Sequence, residues 1–228
     1  IAGAAQNGLI VAPVSGTQTG ITVTGSTVRG SGLQGIRLVG VVSGSVTSNT
    51  SEANTQEGIG LDACVGLVIS GNSLKSNLRD GLRTTNASTK LVITGNVAAS
   101  NTAHGFNIAE IADSILINNV ATLNVGRGIQ GGGAEGTNQI SFNKCSSNTI
   151  EQIGTLAATT VLCGNDTGTG TGQLGASSIV GGYGVTSGVQ IKATTGVGNS
   201  ASVIDMLVGS NGATNAMRIL NSGFVGIN

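Results

Sequence analysis

The sequence predicts an all-β fold, a right-handed single-stranded parallel β-helix of about seven coils, followed by a small β-rich segment. A glycine followed by an apolar residue recurs every 23 or 24 residues, two series of asparagines keep the same interval, and only strand-length apolar segments lie between them. The repeat glycines are Gly35, Gly58, Gly81, Gly105 and Gly128. A regular interval of this length is typical of a solenoid.

The apolar segments between the repeat positions are too short for helices and alternate as strands do. They are Ile36/Leu38, Ile59/Leu61, Phe106/Ile108, Leu67/Ile69, Leu91/Ile93, Ile115/Ile117 and Ile140/Phe142. One coil of such strands cannot bury its own apolar side chains, so coils are expected to stack about 4.8 Å apart in parallel sheets. Parallel crossovers are almost always right-handed, which predicts the hand.

The asparagines have a structural explanation, because a side-chain amide both donates and accepts and can bond to the coils on either side. Asparagine also tolerates left-handed backbone angles, and the repeat glycines are expected to adopt positive φ where each turn re-enters a strand. The predicted ladder is Asn49, Asn72, Asn96, Asn119, Asn143 and Asn165. A second series runs through Asn54, Asn77, Asn101, Asn124 and Asn148.

The composition excludes several classes of function. The 228 residues carry no net formal charge, 9% are charged and 2% are aromatic, so no nucleic-acid-binding surface is indicated. No apolar run is long enough to span a membrane, so no membrane insertion is expected. The chain starts with Ile1 rather than methionine and lacks the basic region of a signal peptide, which suggests processing or a fragment of a longer protein.

No cofactor or metal is predicted. Three cysteines are too few for a disulfide framework and lack metal-ligand spacing, and a buried apolar role is the simpler interpretation, as for Cys163 two positions before Asn165. The G-x-G-x-x-G at 170–175 precedes no helix, which argues against a dinucleotide site. The acidic residues that a calcium site would need do not share a column: Asp62, Glu110, Asp113 and Glu135.

The sequence divides into three regions. Residues 1–165 form the predicted β-helix, with an insertion in the first coil between Val11 and Gly20, and 166–178 are a glycine- and threonine-rich connector. Residues 179–228 contain short strands but are too few for a convincing core of their own, so they are expected to associate with copies of themselves. The strands predicted there are Val189–Lys192, Ser202–Val208, Ala216–Leu220 and Phe224–Ile227.

The last 13 residues, AMRILNSGFVGIN (Ala216–Asn228), resemble a segment of bacteriophage tail fibres and tailspikes, M-R-I-x-x-S-G-N-V-G-I-G-T. In those proteins it precedes a self-cleaving intramolecular chaperone domain of the endosialidase type. Phe224 replaces the usual asparagine and Asn228 the usual glycine. The matching residues are Met217, Arg218, Ile219, Ser222, Gly223, Val225, Gly226 and Ile227. The resemblance implies a homotrimeric, extracellular virion protein of the phage tail, whose chaperone has been removed and whose partners include other tail proteins.

A polar column precedes the repeat glycines and is predicted to face outward. Its members are Gln34, Glu57, Asp80, His104 and Arg127, and the positions two after the glycines add Arg37, Arg83, Asn107 and Gln130 beside it. Such a strip offers the hydrogen-bonding groups that a sugar polymer needs, so Arg37, Arg83, His104, Asn107 and Arg127 are candidate glycan ligands. Glu57 and Asp80, one coil apart, are a candidate pair of catalytic carboxyl groups.

Three interpretations remain open. The coil pattern resembles the pectate-lyase-like superfamily, which includes tailspike depolymerases, but a fold alone does not give a function. The preferred interpretation is a trimeric tail fibre or tailspike fragment, in which the β-helix is a rigid spacer and a candidate binder of host-surface polysaccharide rather than an enzyme, and the C-terminal segment holds three chains together. The alternatives are a polysaccharide depolymerase that uses Glu57 and Asp80, and a secreted bacterial β-helix adhesin. The charges could also be ordinary solvated surface that pairs weakly.

Overall fold

The computed structural model describes residues 1–13, 16–132, 137–154, 156, 160–163, 165, 203–208, 214–220 and 225–227. The chain divides into two compact units, Ile1–Ser177 and Ser178–Asn228. The described part of the chain contains strands and turns and no helix, so it offers no helix that could cross a membrane.

Short strands follow one another along the first unit, separated by tight turns. In chain order they are β1 Leu9–Val11, β2 Gln18–Thr24, β3 Thr27–Arg29, β4 Ile36–Val39, β5 Val41–Thr47, β6 Thr50–Glu52, β7 Ile59–Asp62, β8 Val65–Ser70, β9 Ser73–Lys75, β10 Leu82–Thr85, β11 Ser88–Thr89, β12 Val92–Thr94, β13 Val97–Ala99, β14 Phe106–Asn107, β15 Ile111–Ala112, β16 Ile115–Ile117, β17 Val120–Thr122, β18 Ile129–Gln130, β19 Gln139–Ser141, β20 Lys144–Ser146 and β21 Val161–Cys163.

The strands form three parallel sheets, because each strand pairs with its equivalent in the next coil. Sheet 1 is β1-β4-β7-β10-β14-β18, sheet 2 follows β2-β5-β8-β12-β16-β19-β21 with β11 and β15 beside it, and sheet 3 is β3-β6-β9-β13-β17-β20. This is the predicted parallel β-helix, and six coils contribute a described strand to each of the three sheets. Of a seventh coil, the structure describes β21 and Ile153, which pairs with Ile129.

The first coil carries the predicted insertion. Leu9 pairs with Ile36, 27 positions later, whereas Gln18 pairs with Val41, 23 positions later. The four extra residues therefore lie between Val11 and Gln18. The strands on either side keep their register, because the insertion is accommodated in the turn between two sheets.

The core is a column of apolar side chains inside the coils. On sheet 1, the fully buried Phe106 stacks between Leu82 and Ile129 in the neighbouring strands. Burial of one such side chain contributes about 1.5–3 kcal/mol. The prediction was wrong on sheet 2 for Ile115/Ile117: Leu116 is the buried residue of β16 and Ile115 is exposed, because Leu116 pairs in register with the buried Ile93.

The first asparagine series forms a continuous hydrogen-bonded ladder inside the turn between sheets 2 and 3. At each step the backbone N–H and the side-chain Nδ2 of one asparagine donate to the Oδ1 of the asparagine one coil later, for example from Asn96 to Asn119 at 2.9 and 3.0 Å. The six residues are Asn49, Asn72, Asn96, Asn119, Asn143 and Asn165. The second series bonds in the same way, and Gln152 accepts the last amide bond, from Asn148.

The left-handed backbone positions differ from the prediction. The residues that precede Asn49, Asn72, Asn96, Asn119 and Asn143 adopt positive φ, for example Asn118 at 56° and Phe142 at 52°, whereas these asparagines do not. The repeat glycines do not adopt positive φ either. They are required for close packing: a Cβ at Gly105 would lie 2.6 Å from the carbonyl oxygen of Gly128 and 2.9 Å from the Cβ of Ala121.

In the second unit the structure describes an antiparallel sheet of three strands, β22 Val203–Val208, β23 Thr214–Leu220 and β24 Val225–Ile227, in the order β22-β23-β24. These correspond to the last three strands expected from the sequence. The predicted strand Val189–Lys192 and the connector 166–178 lie outside the described residues. In the first unit Cys64 and Cys145 are buried, and the side chain of Cys163, for which a buried apolar role was predicted, lies outside the described residues.

Candidate functional site

Sheet 1 places the polar residues of the predicted strip side by side. Strand pairing aligns the outward positions Arg37, Gly60, Arg83, Asn107 and Gln130 in one column. The backbone N–H of each repeat glycine donates to the carbonyl oxygen of the residue that precedes the next repeat glycine. These hydrogen bonds align the second column, which is formed by the residues before the repeat glycines. The strip is therefore contiguous over five coils, and it contains all the residues named above as candidate ligands and carboxyl groups.

Glu57 is buried, contrary to the expectation that its column faces solvent. Its side chain is 2% exposed, and its Oε1 lies 3.3 Å from Nη1 of Arg79 and 3.4 Å from Nη1 of Arg83. Both arginines come from the next coil and cover the carboxylate. A buried carboxylate needs such charged partners, because the loss of hydration is costly. Glu57 is thus part of a charge cluster rather than a solvated surface acid.

Asp80 is also buried at 2% exposure, so the expectation of an outward side chain was wrong here too. Its Oδ1 accepts a hydrogen bond from the backbone N–H of His104 at 2.9 Å, and its Oδ2 accepts one from Nδ2 of Asn107 at 3.2 Å. Asp80 therefore binds the following coil, as Glu57 does, and the two buried carboxyl groups lie in adjacent coils.

The environment shifts the pKa of Asp80 and of His104 in opposite directions. Burial raises the pKa of Asp80 above its usual 3.8, and the negative charge of Glu57 raises it further, against the hydrogen bonds from His104 and Asn107. Burial also lowers the pKa of His104 below its usual 6.5, and the charges of Arg127 and Arg83 add to that effect while Asp80 opposes it. The site thus favours a neutral imidazole and a more readily protonated Asp80.

The neutral imidazole of His104 has a defined tautomer. Its Nδ1 accepts a hydrogen bond from the backbone N–H of Arg127 at 2.9 Å, so the proton lies on Nε2. The Arg127 side chain in turn donates through Nε to Oε2 of Glu151 at 2.6 Å and through Nη1 to Gln130. His104 can therefore offer a donor to a ligand while it holds two coils together.

A groove of about 240 Å³ opens on the N-terminal half of the strip. In this half of the strip, Arg37 pairs with Asp62 of the next coil, with 3.5 Å between Nη2 and Oδ2. Gly60 occupies the outward position between Arg37 and Arg83, and the Gln34 side chain lies over it, 3.3 Å from where a Cβ of residue 60 would be. The groove is lined by Gln34, Arg37, Glu57, Gly60, Leu61, Asp62, Arg79, Arg83 and Thr85.

Two acceptor atoms at this groove have no hydrogen-bond partner, Oε1 of Gln34 and Oε2 of Glu57. Both are buried, and both belong to residues that line the groove. A buried acceptor without a donor is energetically unfavourable, so a donor that reached either atom, from a ligand hydroxyl or from water, would be stabilising.

Acidic residues of different coils do approach one another around Asn86. Its Nδ2 donates to Oδ1 of Asp62 at 2.6 Å and its backbone N–H to Oε2 of Glu110 at 2.7 Å. These carboxylates are occupied by Asn86 rather than arranged around an empty centre. Within the described residues, no group of three or more His, Cys, Asp or Glu side chains could hold a metal ion.

Sequence reasoning missed Arg79 and Asp62 as members of the site. Arg79 lies two positions before a repeat glycine, where the other coils have Leu33, Gln56 and Ala103, so no repeating polar character marks the column. Asp62 was considered as a possible metal ligand, whereas the structure shows it paired with Arg37.

Residues 1–145 match the family of right-handed β-helix regions, so the chain belongs to this family. The match covers the coils that build sheet 1 and its strip, and the fold is the right-handed β-helix that the repeat interval predicted. No curated protein is significantly similar to the chain in sequence.

Solved structures with the same fold include the periplasmic alginate epimerase AlgG. The chain is 19% identical to it with a TM-score of 0.60, over 72% of this chain and 43% of that one. A crystal structure of a single-substitution mutant of AlgG gives 22% identity and a TM-score of 0.59, over 65% and 39% of the two chains. The chain spans about two-fifths of the length of these structures, and the likeness is one of fold.

Proposed function

We propose that this chain is a polysaccharide-binding β-helix of a phage tail fibre or tailspike, and that sheet 1 carries its binding surface. The observation that supports this is the strip itself. Five coils bring guanidinium, amide, imidazole and carboxyl groups together on one sheet, next to a groove with unsatisfied acceptors. Polar groups fixed on a rigid scaffold are well suited to a ligand rich in hydroxyls.

The strip also has the length and repeat that a linear polymer needs. Equivalent residues recur about every 4.8 Å, so five coils give a strip about 20 Å long. A glycan chain that follows this direction meets a new polar side chain at nearly every coil. The fold likeness to a polysaccharide-modifying enzyme agrees with a polymeric sugar as ligand.

The virion assignment rests on the C-terminal segment Ala216–Asn228, which resembles the phage tail sequences described above. In this proposal residues 179–228 hold three copies together, the mature protein is extracellular on the phage tail, and other tail proteins are its neighbours. A secreted bacterial adhesin would share the β-helix and the strip but would not be a virion component. Antibodies against the chain that label purified phage particles, and not secreted bacterial protein, would distinguish the two.

The binding role is tested with an array of bacterial capsular and lipopolysaccharide glycans. Arg37→Ala and Arg127→Ala remove partly exposed side chains at the two ends of the strip, and at least a tenfold loss of binding is expected for each. Arg29→Ala is the matched control, because Arg29 pairs with Glu52 on sheet 3. Equal binding by all three variants would place the receptor site on another surface.

A second candidate function is polysaccharide cleavage. The observation in its favour is the buried carboxyl pair, in which Asp80 has a raised pKa, as a general acid requires, and Glu57 retains an oxygen without a partner. If the chain is such an enzyme, Glu57→Gln and Asp80→Asn each abolish the release of reducing ends from a polysaccharide that the protein binds. Binding without any release by the unaltered protein would reject this candidate and leave the binding role intact.

A further inference from the structure

The groove on sheet 1 carries an excess of positive charge. Three arginines line it, Arg37, Arg79 and Arg83, against two carboxylates, Glu57 and Asp62, which leaves a formal charge of +1. The arginine-to-carboxylate distances are 3.3, 3.4 and 3.5 Å, longer than the roughly 2.7–2.9 Å of a strong charged hydrogen bond. Each guanidinium has five N–H groups, and Arg37 and Arg83 each use one in a hydrogen bond to a carboxylate, so further donors remain for an anionic ligand.

Two acceptor atoms at the same groove have no hydrogen-bond donor. Oε2 of Glu57 and Oε1 of Gln34 are buried without partners, and the Glu57 side chain is 98% buried. A ligand that fits must therefore offer an anion to the arginines and hydroxyl donors to these two acceptors. A simple anion pairs with the arginines but offers no hydroxyl to the two acceptors. A neutral sugar offers hydroxyls but no anion.

We propose that this groove is a subsite for one acidic sugar residue of the polysaccharide. Its carboxylate lies between Arg37 and Arg83, and its hydroxyls donate to Glu57 and Gln34. The volume of about 240 Å³ is smaller than the 300–1,000 Å³ of typical small-molecule pockets and suits a single sugar ring. This inference rests on the proposed polysaccharide-binding function and specifies its ligand class.

Glycine at the outward position between the two arginines leaves room for the Gln34 side chain, one of the groups that line the groove. A longer side chain at residue 60 would displace Gln34 and fill the space between the guanidinium groups. The backbone of Gly60 has no positive φ, so the residue is not needed there for its conformational freedom. A substitution at this position therefore blocks the groove without changing its charge.

The test compares acidic polysaccharides with their carboxyl-reduced forms, in which each uronic acid has become the neutral sugar of the same linkage. Unaltered full-length protein is expected to bind the acidic form at least tenfold more tightly than the reduced form. Arg37→Gln and Gly60→Thr should each abolish that preference, and Arg29→Gln on sheet 3 should leave it within twofold. Circular dichroism melting checks that every variant is folded.

A sulfated polysaccharide without carboxyl groups is included to separate the two kinds of anion. Preference for the sulfated glycan over the acidic one would overturn the carboxylate assignment. Equal binding of acidic and reduced glycans, unaffected by Arg37→Gln, would overturn the subsite and leave polysaccharide binding in place. Failure to bind any glycan on the array would overturn the proposed function as well.

Discussion

Replacement of Asn119 by alanine tests the ladder at its centre. The Oδ1 of Asn119 accepts hydrogen bonds from the backbone N–H and the Nδ2 of Asn96, and its own Nδ2 donates to the carbonyl oxygen of Ile93 and to Oδ1 of Asn143. Alanine leaves the Asn96 N–H without a partner inside the protein. One orphaned donor with the further lost bonds should cost about 2–4 kcal/mol.

The neighbouring residue provides a matched control. Asn118 is exposed and holds a φ of 56°, so Asn118→Gly removes an amide from the same turn and keeps the backbone conformation at no steric cost. Its effect should stay within about 0.5 kcal/mol. A third variant, Asn119→Asp, keeps the acceptor for Asn96 but loses the donor to the carbonyl oxygen of Ile93. It also places a negative charge next to Oδ1 of Asn143. We therefore expect it to be as destabilising as alanine.

Urea denaturation followed by circular dichroism measures the stability, because the chain has no tryptophan. Stacked coils can unfold in parts, so native-state hydrogen exchange gives the local measure. In Asn119→Ala the backbone amide of Asn96 should lose its protection while amides in the first two coils keep theirs. Unchanged protection at Asn96, or equal denaturation midpoints for Asn119→Ala and Asn118→Gly, would refute the energetic role given to the ladder.

Three further predictions follow from burial, charge and assembly. Phe106→Ala should cost about 3–5 kcal/mol by opening a cavity between Leu82 and Ile129, and a loss no larger than that of Arg29→Ala in the same urea titration would contradict the packing. Because the pKa of His104 is lowered in the folded state, its contribution to stability is complete above pH 6.5 and is lost as the pH falls through 6.5 toward the folded-state pKa. His104→Gln should therefore reduce the loss of stability between pH 7.5 and 5.5, and an unchanged pH profile would be evidence against the assignment, since His104 is the single histidine. Deletion of residues 179–228 should convert a homotrimer into monomers or aggregates, and light scattering that finds the full-length chain monomeric would reject the trimer.

The fold could be predicted because its main constraint is periodic. Each repeat glycine lies where a Cβ would meet the backbone of the next coil, and each ladder asparagine bonds to its equivalent, so both are required at every turn of the helix. The repeat interval showed which positions need glycine, but it did not show the physical reason for the glycine. A repeat interval cannot distinguish a position that needs positive φ from one that has no room for a side chain.

Other features could not be predicted because they depend on neighbours in different coils. In the run Ile115–Ile117 three apolar residues are consecutive, so alternation alone could not show that Leu116 faces the core. Glu57 was expected at the surface because it is charged. It is buried since Arg79 and Arg83 extend from the next coil and cover it, and one of these two arginines follows no repeating column.

The hydrogen bonds to the asparagine side-chain oxygens all run in one direction along the two series. Every asparagine of the two series accepts from the coil before it, the first donors are the backbone N–H groups of Ser26 and Ser31, and among the described residues Asn165 and Gln152 are the last acceptors. Each coil in the middle therefore offers its neighbours the same set of donors and acceptors, including the Nδ2 bond back to a carbonyl oxygen of the preceding coil. Duplication or excision of a whole 23-residue unit would bring equivalent atoms together again, so the length of the β-helix can change in steps of about 4.8 Å while the first and last coils stay the same.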